Sequence, residues 1–491
     1  MKKLIISLNI IIILFVLAGC EKEYLERVPT SSLAEKDLLS TVGGNHTLLH
    51  GIHRSTYYFY GTHGRYGQRA VDLVVDLLGE DMYQTERGYG WFVGWYQYIE
   101  HRNINSADLE WVWSYYYDIV DNANIILANI DNSSDAALKT AEVQFIKANA
   151  LAYRAFSFYQ LVQLYAQRFD IGGANSHPGI PLYTEPTQEG KARSTVAEVY
   201  TQINSDLDDA IELFTTSTFS RANVSELNLR VAQGIKARVA LTTGQYSVAE
   251  EMAKAARTGF GLVPATKYGY GWNKADNTEW MWGAILITEQ QTSYASCFSH
   301  IDPYFGGYAS LGNHKLLSTL VYDYMSATDE RKKVFKTIAG KPRVGKKFTG
   351  NGGYDATSQS NWTNDYLYMK AAEMYLIEAE AIARQGGRDV DAQTALFNLV
   401  SKRDPSYVQS VLTGEDLIQE ILMQRRCELW GEGFRFFDLK RLNLDLNREN
   451  LGHTSSLWNA AGFFEAGDKN FVFLIPKQEM DANPKMVQNE L

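Results

Sequence analysis

The sequence predicts a mainly α-helical protein, in which tetratricopeptide-like helix pairs form a scaffold with long loops and a few short strands. Three observations carry this. Apolar residues recur at three- and four-residue spacing through most of the chain. Helix starts carry capping signals, as where Ser194-Thr195 precedes Glu198 in the pattern of a capping box. Finally, Leu241, Gly244, Tyr246, Ala249, Ala253 and Ala256 follow the spacing of a helix, a tight turn and a second helix whose alanines allow close approach.

In chain order, Met1-Lys2-Lys3 leads into an apolar run over residues 4–17, interrupted by Ser7 and Asn9, which ends in Leu17-Ala18-Gly19-Cys20. A basic start, an apolar stretch and small residues at a cleavage site make a secretory signal over residues 1–19. The run falls short of the roughly 20 apolar residues that a membrane span needs. A cysteine directly after Ala-Gly resembles a bacterial lipoprotein signal, which implies acylation of Cys20. Two or more acyl chains anchor firmly where one anchors marginally. Residues 20–30 then form the anchor and an extended tether that contains Pro29.

Helical periodicity takes over in an N-terminal region, residues 31–260. Helices are expected over 31–60, 106–130, 138–165, 195–214, 226–242 and 247–257, with Asn223 or Ser225 opening the fifth. Long loops are expected over 66–100 and 268–362. In the C-terminal region, 261–491, residues 280–288 mix apolar and β-favouring types and suggest a strand. Helices return at 366–384, 390–401 and 414–430, and residues 471–475 suggest a short strand before Pro476. The two regions are expected to pack as one globular unit.

Composition bounds the function. Hydrophobic residues make up 45% and charged ones 21%, ordinary for a globular chain. The net charge is −10, and the short basic stretches Arg331-Lys332-Lys333 and 341–347 read as solvated turns, so nucleic acid is not an expected partner. Of three cysteines, Cys20 goes to lipid, and Cys297 and Cys427 are expected to be buried free thiols. Aromatic residues reach 13%, with 30 Tyr, 22 Phe and 10 Trp; most will fill a helical core, but such rings also suit an amphipathic ligand.

Several blocks resemble one family. Ile146-Lys147-Ala148 through Ala152-Tyr153-Arg154, then Leu164-Tyr165 and Gly179-Ile180-Pro181-Leu182, is similar to the N-terminal block of the RagB/SusD lipoproteins. Val199-Tyr200-Thr201-Gln202-Ile203 with Asp206-Leu207, and Lys236-Ala237-Arg238-Val239-Ala240, resemble the next two. Tyr368-Met369-Lys370 followed by Ala372-Glu373-Met374-Tyr375-Leu376-Ile377 resembles the central helix. The strongest match runs from Arg425-Arg426-Cys427-Glu428-Leu429-Trp430 through Gly431-Glu432-Gly433-Phe434-Arg435-Phe436-Phe437-Asp438-Leu439-Lys440-Arg441. Near the end, Ile475-Pro476, Glu479 and Asn483-Pro484-Lys485 fit again, although the usual Gly-Trp ending is replaced by Glu490-Leu491.

The resemblance implies the SusD-like fold and a Bacteroidetes outer-membrane lipoprotein facing the cell exterior. It implies a lid over a TonB-dependent SusC-like transporter that captures a nutrient, oligosaccharide or, in RagB-like members, oligopeptide. Glu21 and Glu23 beside the anchor are similar to export signals of that phylum. Within the strongest block, Arg425 and Glu428 sit three apart and are placed to pair. Gly431 and Gly433 end the helix, and Phe434, Phe436 and Phe437 lock the turn. That block is read as structural.

For a ligand, the sequence offers two copies of one tetrapeptide, Gly88-Tyr89-Gly90-Trp91 and Gly269-Tyr270-Gly271-Trp272. Flanking glycines strip side-chain cover and leave rings free to stack on a sugar face. Trp95, Tyr96 and Tyr98 follow the first copy; Tyr294, Tyr304 and Tyr308 follow the second. The expected binding residues are Tyr89, Trp91, Trp95, Tyr270, Trp272 and Tyr294, with Asp81, Glu86, Arg87 and Gln97 as polar neighbours. Trp111, Trp113, Trp280 and Trp282 are expected in the core. A glycan is the preferred ligand class and a peptide the alternative.

No enzyme is expected. Glycoside hydrolysis needs two carboxylates roughly 5–10 Å apart, and no spacing marks such a pair; nucleophile-elbow, zinc-protease and phosphate-loop motifs are absent from the sequence. No cofactor is expected. His46, His50 and His53 recur at i, i+4 and i+7, a spacing able to chelate Zn²⁺ or Ni²⁺. Gly51 interrupts the stretch and no carboxylate joins it, so a polar helix face rather than a metal site is expected.

Overall fold

The computed structural model describes residues 37–304, 306–350 and 363–491. The leader, Cys20, the tether, the first residues of the helix expected over 31–60 and residues 351–362 of the second long loop lie outside the described residues.

The helices form in the order their periodicity implies. α1 (Val42–Ser55) is capped by Thr41, whose hydroxyl accepts from Gly44 N–H at 3.1 Å. α2 (Gln68–Leu78) falls inside the first expected loop. Arg69, which pairs with the partly buried Asp72 at 3.0 Å, and Asp76, which accepts from Gly433 N–H, are buried, and buried charges blur an amphipathic pattern. After strand β1 (Met82–Gln84), the long helices α3 (Ala107–Asn129) and α4 (Thr140–Tyr165) follow. α4 runs about 39 Å at 1.5 Å per residue, and from Ala148 onward every residue is buried, so it is the central rod.

α5 (Val196–Thr216) begins at the expected capping box: Thr195 accepts from Glu198 N–H, and the Glu198 carboxylate accepts from Thr195 N–H at 2.7 Å. α6 (Leu229–Thr242) is capped by Asn228, five residues beyond Asn223 and three beyond Ser225. It turns at Gly244 (φ +73°) into α7 (Tyr246–Ala256), whose Ala249, Ala253 and Ala256 are buried as the helix-pair pattern requires. The helices stack side by side: α3 on α4, α4 on α5, α5 on α6, α6 on α7, and α7 on α8 (Ala371–Gln385), which also packs on α9 (Asp389–Val400) and α10 (Gly414–Leu429). α11 (Arg435–Arg441) closes against α2.

The strands differ from expectation. β2 (Trp280–Ala284) is the expected strand, buried throughout. Its partner, β6 (Tyr366–Lys370), occupies the start of the helix expected over 366–384. Tyr366 to Lys370 keep a helix-compatible pattern, but pairing with β2 satisfies their backbone and overrides it. A four-stranded antiparallel sheet, in the order β1-β3-β5-β4, adds β3 (Lys315–Leu317), β4 (Phe335–Ile338) and β5 (Lys341–Gly345) within the second expected loop. β4 and β5 meet at Ala339-Gly340, both with positive φ, the geometry of a two-residue hairpin turn. The tail over 471–475 joins no sheet; Phe473 and Leu474 donate instead to Leu164 O and His101 O.

One apolar core runs from Val42 to Met486, and a smaller one fills the space among α8, α9 and α10. Trp111, Trp113, Trp280 and Trp282 lie in the first. Cys297 and Cys427 are both free and buried.

The two basic stretches read as solvated turns are corrected. Arg331, Lys346 and Lys347 are buried. Arg331 pairs with Asp329 at 2.8 Å, and Lys347 pairs with Glu432. The expected Arg425–Glu428 pair does not form either. Arg425 reaches Asp438 at 2.8 Å, while Glu428 turns to Arg403 at 3.0 Å and Lys370 at 2.9 Å. Burial by itself would raise the Glu428 pKa, but these cations hold its carboxyl below the usual range. The block is the structural joint its residue types suggest, wired differently from helix spacing.

Candidate functional site

Three loops converge near the C-terminal end of α1. The first, from Thr56 to Gly67, is folded back by Gln68 N–H donating to Thr56 O at 2.8 Å, and it carries Tyr58, Phe59 and His63. The second carries Tyr89 and Trp91, with Gly88 (φ +50°) and Gly90 (φ +89°) turning the backbone on either side of Tyr89. The third carries Tyr294 and Tyr308.

Tyr308 is the hub. Its ring centroid lies 5.4 Å from Tyr89, 5.6 Å from Trp91, 5.7 Å from Tyr294 and 5.8 Å from His63. Its hydroxyl bonds His63 Nδ1 at 2.6 Å, and His63 stacks on Tyr294 at 5.9 Å. Edge-to-face and offset ring contacts at these distances stabilise one another beyond area burial. They hold the rings as a rigid arc, while Tyr89 remains 69% exposed and Tyr294 42%. Alongside runs an open groove of 330 Å³ lined by Arg54, Tyr58, Phe59, His63, Gln290 and Gln291, among others. Exposed rings beside amide and guanidinium groups suit a ligand with apolar faces and hydroxyl edges.

The platform rests on buried polar groups. His300 stacks under Tyr308 at 5.1 Å and bonds His63 O through Nε2 at 2.8 Å. Burial pushes its pKa down to about 3, so the ring is neutral. Lys315 donates to Asn313 O at 3.0 Å, and burial brings it down to about 7. Asn313 in turn donates to Trp91 O.

Of the residues expected to bind, Tyr89, Trp91 and Tyr294 come together here. Trp95 and Trp272 do not project and are corrected. Trp95 is 4% exposed, stacked on His101, because the single helical turn Val93–Tyr96 points it inward. Trp272 is 1% exposed; its ring lies 4.7 Å from Lys370 Nζ and its N–H donates to Tyr268 O. Tyr270 is exposed. Three of the polar neighbours are engaged elsewhere, Asp81 with Arg426, Glu86 with Lys341 at 2.6 Å, and Gln97 with Leu457 O, while Arg87 is exposed. His63, Tyr58 and Phe59 were missed, although Tyr57-Tyr58-Phe59-Tyr60-Gly61 is itself an aromatic run ending in glycine.

Two other cavities suit a glycan less. The interior one around Arg238, Arg425 and Asp438 has room for little more than a water, 40 Å³. A 380 Å³ cleft beside Tyr117 and Tyr183 is walled by Asp118, Asp121, Glu185, Glu189 and Glu479, a strongly acidic lining. Among the described residues, no helix is long and apolar enough to cross a membrane.

Comparison with known proteins supplies the family. A family described as starch-binding and associating with the outer membrane matches residues 73–241, and the SusD family matches residues 263–491. SusD-like protein P2 of Formosa agariphila is 25% identical, covering 89% of this chain and 90% of the relative. A solved SusD-like carbohydrate binding protein from Bacteroides vulgatus superposes with a TM-score of 0.79 at 25% identity, covering 92% of this chain and 98% of that one. A SusD superfamily protein from Bacteroides thetaiotaomicron gives the same score and identity, covering 92% of this chain and 100% of that one.

Proposed function

Since this chain belongs to the SusD/RagB family, we propose that it is a glycan-binding protein of the cell surface that captures an oligosaccharide on the rings gathered around Tyr308. The observation that carries this reading is the arc of Tyr89, Trp91, Tyr294 and His63, held by ring contacts of 5.4–5.9 Å beside an open groove. Pyranose faces stack on Tyr89 and Tyr294, while Arg54, Gln290 and Gln291 bond hydroxyls along the groove. The carbohydrate binding named for the Bacteroides vulgatus neighbour supports the ligand class.

Binding without chemistry is the role the groove favours. Glu289 is the one carboxylate among the described residues that line it, and glycoside hydrolysis takes two. The rest of the proposal follows the family. Residues 1–19 direct export, Cys20 carries the lipid that holds the protein on the outer membrane, and a SusC-like TonB-dependent transporter receives the glycan. Tethering beside a channel keeps released sugar at high effective concentration, so modest affinity suffices.

Isothermal titration against matched oligosaccharide and oligopeptide panels tests the reading. Saturable binding of one glycan is expected. It should weaken roughly tenfold in Tyr89→Ala, the scale of about 1.4 kcal/mol for one stacked ring, and further in Tyr89→Ala/Trp91→Ala. Heat with peptides alone would move the protein to the RagB-like alternative. Glycan binding indifferent to both variants would remove the arc as the site.

A further inference from the structure

Outside the arc, the structure gathers a second constellation of ligating groups. His46 and His50 stand one turn apart on α1, ring centroids 4.5 Å apart. Glu226, from the segment between α5 and α6, reaches across to both. Its Oε1 lies 3.2 Å from His50 Nε2 and 3.6 Å from His46 Nε2. The ligand atoms of the three side chains all fall within 4.8 Å of one another. His53, the third histidine of the sequence cluster, turns inward onto Tyr153 and takes no part.

We infer that His46, His50 and Glu226 form a binding site for a Zn²⁺-type divalent ion. The spacing is the first argument. Ligands about 2.1 Å from a tetrahedral zinc stand about 3.4 Å from each other, and the two nitrogen–oxygen separations in the structure, 3.2 and 3.6 Å, bracket that value. The second argument is orientation. His46 Nδ1 meets Glu142 Oε1 at 3.0 Å; a carboxylate accepts, so Nδ1 carries the proton and Nε2 presents its lone pair. This carboxylate–histidine support is how ligating imidazoles are held on metals. His46 Nε2 is buried and, in this structure, has no hydrogen-bond partner. Glu226 is oriented in the same way, because its Oε2 accepts from Ala222 N–H at 2.7 Å and leaves Oε1 facing the histidines.

Two imidazoles and one carboxylate select a zinc-like ion over Ca²⁺ or Mg²⁺, which prefer all-oxygen shells. His50, its side chain 56% exposed, leaves a path to solvent and a fourth position for water. The ion would fasten α1 to the segment holding Glu226. That segment is already tied to β2 through Gly283 N–H on Val224 O and Arg221 on Met281 O. From the sequence, positions 46, 50 and 53 are expected to form a polar helix face because no carboxylate joins them; the carboxylate comes from 176 residues beyond His50.

The test uses the full chain in detergent, without an affinity tag, titrated with Zn²⁺ and separately with Co²⁺. One saturable equivalent of Zn²⁺, a tetrahedral Co²⁺ absorption band and a melting temperature raised by Zn²⁺ are expected. All three should vanish in His50→Ala, with its melting in chelator compared with the wild type's so that loss of the His50–Glu226 bond at 3.2 Å is separated from loss of metal. Glu142→Gln should weaken Zn²⁺ roughly 10- to 100-fold. Failure of the wild-type chain to bind, or binding unaltered in His50→Ala, would overturn the site. Glycan affinity is read in parallel and is independent of either result.

Discussion

Trp91 and Trp272 stand in identical Gly-Tyr-Gly-Trp tetrapeptides, and their surroundings give them opposite uses. Trp91 is half-buried against His63 and Tyr308, part of the ring arc. Trp272 is enclosed, its face toward the Lys370 ammonium and its N–H on Tyr268 O. A cation held over an indole face in a desolvated setting is worth up to about 2 kcal/mol, and the ring's burial adds more. Trp272→Ala should therefore cost about 3–5 kcal/mol of stability, read by urea denaturation, while folded molecules keep wild-type glycan affinity. Loss of affinity without loss of stability would return Trp272 to the binding surface. A glycine-flanked ring was legible from composition; which of the two projects was not, since neighbours distant in sequence decide it.

At the scale of elements, periodicity located the long helices closely. The spans expected over 106–130 and 138–165 became Ala107–Asn129 and Thr140–Tyr165, and Thr195 with Glu198 opened α5 as a capping box. Short elements escaped, among them α2 with its buried Arg69 and Asp76 and β3, β4 and β5 with too few residues to alternate visibly. The arm that carries Tyr58, Phe59 and His63 depends on Gly67. Its φ is +80°, and a Cβ there would stand 2.1 Å from Thr56 O, the carbonyl that closes the loop. Gly67→Ala forces both a left-handed non-glycine and a clash, at about 1–3 kcal/mol. The expected outcome is a lower melting temperature together with weaker glycan binding, because the arm shifts. Unchanged affinity in the folded fraction would mean that the arm is dispensable for the ligand.

For the whole molecule, burial of histidines sets the acid limit. His53, His101, His300 and His453 are each pushed down to about 3 by burial. The unfolded chain takes up these protons near pH 6.5, before the folded one does, so stability is intact above that pH and falls as pH drops toward 3. Each histidine costs about 2 kcal/mol by pH 5, and four together approach the whole stability of an ordinary domain, about 5–15 kcal/mol. Burial raises Asp76 to about 8, so over this range its folded carboxyl holds a proton that the unfolded one lacks and offsets one histidine; the expectation is a denaturation midpoint that falls between pH 7 and 5, with His101→Gln shallower by one proton. A flat profile would contradict neutral burial of these rings.

Residue order alone determined the helical class, the bounds of most long helices, the helix pair around Gly244 and the family, because each is written in local spacing or in contiguous motifs. The tertiary structure decided which rings share a surface, that residues 366–370 pair as a strand, that Arg425 meets Asp438 rather than Glu428, and that Glu226 stands beside His46 and His50. The reason is physical. Helical periodicity is set within a few residues, whereas loop positions and buried charge partners depend on packing between segments hundreds of residues apart, and that packing leaves no repeating trace along the chain.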